Sequence, residues 1–77
     1  MVTINEIIEV KSGMTIAFHY KNWQGISAVR TCKVIGFYYG QNEWHKENQF
    51  LLKGLDLEKN QERTFAIRDM SDLRILS

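Results

Sequence analysis

The residues of this chain that could do chemistry are two arginines, two tryptophans and one short acidic and histidine-bearing loop. In Arg63-Thr64-Phe65-Ala66-Ile67, Arg63 alternates with two apolar side chains, so an extended backbone places one guanidinium on a core-facing row. Such an arginine stands at the mouth of a pocket or is paired. Arg30 lies inside a β-branched run and offers the same choice. Guanidinium forks grip phosphate or carboxylate at two points and stack on base planes, which makes both candidates for an anionic ligand. The bland alternative is an ion pair with Glu43, Glu47, Asp56 or Glu62. Trp44 and Trp23 could stack on a base, or Trp23 could simply cover a hairpin turn. Glu43, His45 and Glu47 have the i, i+2, i+4 spacing of one strand face, where an imidazole and two carboxylates could bind zinc or move protons. That signal is weak, because the hydrogen-bonded needs of a polar loop explain it equally well. No nucleophile, base and oxyanion donor occur at a recognisable spacing, so the chain is read as non-enzymatic, with no cofactor or metal.

The elements that must position these groups follow from the pattern. Thr3-Ile4-Asn5-Glu6 has capping-box spacing, and Ile4, Ile7 and Ile8 would form an apolar stripe, predicting a helix of two to three turns closed at Gly13; a strand over residues 2–10 is the competing reading. From Met14 the period becomes two. Met14, Ile16, Phe18 and Tyr20 share one strand face, while Thr15, Ala17, His19 and Lys21 share the other. Asn22-Trp23-Gln24-Gly25 is a turn, and residues 26–37 form a second strand bent near Gly36. Phe37-Tyr38-Tyr39 continues extended, and successive side chains alternate, so at least one aromatic faces a partner, a ligand or water.

A third strand is expected over residues 49–56, a polar turn at residues 58–62, a fourth strand ending near Arg68, a connector at residues 69–72 and a closing strand over residues 73–76. Met14, Ile16, Phe18, Phe50, Leu52, Phe65, Ile67 and Leu73 are the expected core. Five short strands after one helix predict a strongly bent, partly closed antiparallel barrel that disposes of exposed edges.

With 77 residues and neither repeat nor linker, residues 1–77 are one domain. A chain this short buries only about 60% of its unfolded surface, so a homo-oligomer is expected. A formal net charge of +1 excludes an electrostatics-first nucleic-acid binder and an acidic disordered tail. The single cysteine, Cys32, excludes an intrachain disulfide framework and reads as a small buried hydrophobe in a reducing compartment. No leader pattern or long apolar run is present, so a cytoplasmic location away from membranes is expected.

With the strands placed, Phe18-His19-Tyr20, Asn22-Trp23, Gly25, Arg30, Phe37-Tyr38-Tyr39, Phe50 through Asp56 and Arg63 through Met70 resemble the WYL domain over nearly the whole chain. The resemblance implies an SH3-like (Sm-like) five-stranded antiparallel barrel with a short N-terminal helix. Phe50-Leu51-Leu52 stands where the family has Trp-Tyr-Leu, Val34 where it usually has proline, and residues 43–47 form an insertion. No helix-turn-helix accompanies the domain. The chain is more similar to small stand-alone bacterial and phage proteins with an Asn-Trp-x-Gly turn and a Glu-Trp-His loop. The family implies a regulatory module that takes a nucleotide-derived signalling molecule or a short single-stranded nucleic acid, or, in a phage, sequesters a host signal. Carried over residue by residue, it supports Tyr20, Arg30, Arg63 and Arg68 as ligand-binding, beside Trp44 and His45 of the inserted loop. The alternative is a protein-interaction module with an aromatic groove formed by Trp23, Tyr38, Tyr39 and Trp44.

Overall fold

The computed structural model describes residues 2–22, 24–41 and 46–77. They form one short helix, α1 (Ile4–Ile7), and five strands: β1 (Thr15–Lys21), β2 (Ser27–Gly40), β3 (Gln49–Asp56), β4 (Gln61–Ala66) and β5 (Met70–Ile75). A 3-10 turn, η1 (Ile67–Asp69), joins the last two. All strand pairs are antiparallel, in the order β4-β3-β2-β1-β5.

The capping box forms as its spacing predicts: Glu6 N–H donates to Thr3 Oγ1, and Thr3 N–H donates to the Glu6 carboxylate. The helix nonetheless stops after one turn. A helix this short does not sustain itself, and Ile7, Ile8 and Val10 are β-branched. Val10 is instead buried in the core, and Ile8 turns outward. Gly13 does adopt positive φ, but its N–H donates to the Val34 carbonyl, so it docks the segment on β2 instead of capping α1. β5 also begins earlier than expected, because the corner is made by η1 and Met70 already pairs with Tyr20.

The face carrying Ile16 and Phe18 meets Cys32, Val34, Leu52, Phe65 and Met70 in the core. Phe65 lies 5.1 Å from Phe18 and 5.0 Å from Tyr20, ring centre to ring centre, both edge to face. β1 and β4 are three inter-strand spacings apart in the sheet, about 14 Å if it were flat. The sheet is therefore tightly curled. Its bend uses a bulge in β2, where Val34 faces Gly54 and Gly36 faces Lys53, leaving Ile35 without an opposite number.

Curling does not close the sheet into a barrel. Among the described residues β4 and β5 do not pair, so both edges remain, contrary to the expectation that closure removes them. They are short and carry Glu62, Arg63, Asp72 and Arg74, which blunts them. β5 is further interrupted by a bulge: Ala17 pairs with Arg74 and His19 with Ser71, with Asp72 at φ 51° between them. Phe50 is the clear exception to the expected core. It shares the inner face with Leu52 but lies beyond the packed interior and is 63% exposed.

Gly54 is demanded by the crossing of β2 and β3, since a Cβ there would stand 2.8 Å from Cys32 Sγ and 3.2 Å from the Lys33 carbonyl oxygen. Gly54→Ala is therefore expected to lower stability by about 1–3 kcal/mol in urea unfolding.

Candidate functional site

The expected ligand residues are pulled in different directions. Tyr20, on β1, accepts the Ala66 N–H at its hydroxyl oxygen over 3.0 Å, and burial pushes its phenol above the ordinary value. Arg30, on β2, places Nη1 4.0 Å from Asp56 Oδ2. Asp56 is 1% exposed; its Oδ1 accepts the N–H groups of Glu58 and Lys59, which shapes the β3–β4 turn, while Oδ2 has no hydrogen-bond partner. A buried carboxylate with an unsatisfied oxygen needs the nearby cation, so Arg30 is held inward by this group. Both residues make structural contacts within the fold.

Arg63 is exposed on β4, in the row of Gly54 and Val34. Arg30 lies on the same inner row, four residues before Val34 on β2. Of the acidic partners expected for Arg63, the three that are described pair with other cations: Asp56 faces Arg30, Glu62 bonds Lys53 at 3.2 Å, and Glu47 bonds Arg68 at 3.2 Å. Arg68, in η1, thus meets the end of the inserted loop through an exposed pair. Trp23, Glu43, Trp44 and His45 lie outside the described residues; of the Glu43, His45 and Glu47 set, only Glu47 is placed. Among the described residues, no three His, Cys, Asp or Glu side chains are grouped to hold a metal ion. His19, expected to be solvated, is part-exposed and 4.0 Å from Asp72 across the β5 bulge.

What the curled sheet does build is an apolar groove of about 400 Å³ at the end of its inner face. Ile7, Ile8 and Val10 from the N-terminal segment form one wall, and Phe37, Phe50 and Ile67 from β2, β3 and η1 form the other. The lining is mainly apolar, with Thr3 its one polar side chain among the described residues. Each wall has a local cause: the capping box turns α1 over the sheet end, Val2 N–H is tied to the Met70 carbonyl, and the β2 bulge resets the alternation so that Phe37 faces inward opposite Leu52. Tyr39 pairs with Phe50, their rings in edge contact at 4.9 Å, and extends the apolar surface past the groove. The expectation that Phe37-Tyr38-Tyr39 leaves an aromatic outside the core thus holds for all three. Sequence reasoning missed Ile8 and Phe50, whose apolar types read as core; the run of aromatics was the available signal.

Comparison of the chain with family models, curated proteins and solved structures finds no match. Among the described residues no helix is long and apolar enough to cross a membrane.

Tyr20→Phe is expected to cost about 1–3 kcal/mol, by leaving the Ala66 N–H without its acceptor. Arg30→Ala should cost about 2 kcal/mol, less than a fully buried pair because Arg30 is part-exposed; both are read from urea midpoints. Cys32 is fully buried opposite Asp56, and burial, with that carboxylate adding to it, pushes its thiol from 9.0 up to about 11. The unfolded chain then releases the thiol proton first, so stability is expected to fall as pH rises from about 9 to about 11, by on the order of 2–3 kcal/mol. In Cys32→Ala that part of the slope should vanish.

Proposed function

We propose that this chain is a non-enzymatic binding module with an SH3-like fold of the WYL kind, and that its working surface is the apolar groove between α1 and the sheet end. The fold reading is supported by a meander whose last strand returns beside the first, with a 3-10 turn at the corner and a short helix in front. One observation carries the functional reading: among the described residues the groove is lined mainly by aromatic and aliphatic side chains, Ile8, Phe37 and Phe50 among them exposed, and by no charged one. Small-molecule sites add a few convergent polar groups that fix orientation, whereas apolar patches rimmed by polar residues mark protein contacts. The groove therefore takes apolar side chains of a protein.

A second reading, binding of a nucleotide-derived signal or short single strand, is favoured by Arg68 directly after the groove residue Ile67, by the exposed Arg63, and by the WYL resemblance. Tyr20 and Arg30, which this reading also names, are engaged with Ala66 and Asp56 within the fold.

Panning a displayed peptide library against the purified protein separates the two readings. Recovered peptides should carry apolar anchors, bind about tenfold or more weakly to Phe50→Ser, and respond little to salt. Failure to recover such peptides, together with a nucleotide that raises the melting temperature in wild type but not in Arg63→Ala or Arg68→Ala, would replace the first reading with the second.

A further inference from the structure

The groove's protein partner is, we infer, a second copy of this chain, the two related by a twofold axis; the inference rests on the groove being a protein-docking surface. Three features of the patch point to self-association. The first is its area. Ile8 is 71% exposed, Phe50 63%, Tyr39 61% and Phe37 39%, and they are continuous, because three line one groove and Tyr39 touches Phe50. With aromatic side chains of 150–250 Å² each, these four residues expose about 500 Å². That lies at the upper end for a monomer's largest apolar patch and is more than half of the ~800 Å² each partner gives to a stable dimer.

The second feature is shape. A twofold contact requires one surface to be its own complement, residue i meeting j while j meets i. This patch holds both halves: a groove of about 400 Å³ and, just outside it, the Tyr39 ring braced on Phe50. Tyr39 of each copy enters the groove of the other, beside Ile8. The third is charge. A twofold axis sets groups near it against their own like, and a charged patch would repel itself there. Among the described residues no groove-lining side chain is charged, and Arg68, which follows the groove residue Ile67, is paired with Glu47.

Sedimentation equilibrium of the full chain tests this over about 1–200 µM, the range where a patch of this size should act. Wild type is expected to approach twice its 9.1 kDa mass. Phe50→Asp and Tyr39→Asp should stay monomeric with unchanged circular dichroism, since both side chains are exposed, and should melt at a temperature independent of protein concentration. Leu57→Asp, on the distant β3–β4 turn, should still dimerise. Ile8→Lys and Tyr39→Glu should each be monomeric alone and associate when mixed, which reports the specific i–j contact. Wild type remaining at 9.1 kDa at the highest concentration, or a dimer indifferent to Phe50→Asp, would overturn the inference. A monomer that still binds apolar peptides in a Phe50-dependent way would remove self-association and leave the docking function intact; a monomer that binds none removes both.

Discussion

The architecture depends on one contact between distant parts of the chain: Tyr20 of β1 against Phe65 and Ala66 at the end of β4. Its ring gives the interior an edge-to-face aromatic cluster, and its hydroxyl satisfies a backbone donor where β4 gives way to η1. A single side chain thereby supplies both the apolar and the polar part of the clasp. The donor it satisfies lies three strands away in the sheet, so the contact exists only in the curled form. Everything downstream inherits that curvature: η1 can turn the corner, β5 can lie beside β1, and Ile67 joins Phe37 and Phe50 in lining the groove.

Around this clasp, groups that looked like ligand-binding equipment serve the fold. Arg30 looks reactive in sequence because a guanidinium is versatile; in the fold it compensates a carboxylate that the β3–β4 turn requires to be buried. Asp56 is buried because its neighbours on the inner face, Cys32 and Gly54, are small enough to admit it there. The polar interior of this small domain thus lies at one end of the inner face, with the apolar opening at the other. Exposed apolar surface and buried, compensated charge are separated along the strands.

The strands were legible because their signal is local. Met14 through Lys21 alternates cleanly, Asn22 and Gly25 make the turn they suggest, and β3 occupies the residues its composition marks. The turn near Gly36 was legible as a bend because glycine in a long strand has few other uses. What failed to show was set by long-range geometry. Ile8 and Phe50 are apolar, and no local rule says that a sheet curls short of covering them. Tyr20 and Arg30 were found as special residues, but whether a hydroxyl or guanidinium faces a ligand or a buried partner depends on residues 26 or more positions away. The length of α1 was overestimated because its cap was visible, whereas the competing burial of Val10 was not.

The left-handed Asp72 in the middle of β5 has a consequence for how copies of this chain can meet. A regular, unpaired edge strand invites another strand to continue the sheet, and since every added copy brings a fresh edge, that mode of growth has no natural end. With its backbone register broken at Asp72 and the charge of that side chain beside it, β5 offers no uninterrupted run of amides to extend. The bulge therefore acts beyond the single fold: it leaves β5 a poor template for strand-by-strand extension of the sheet.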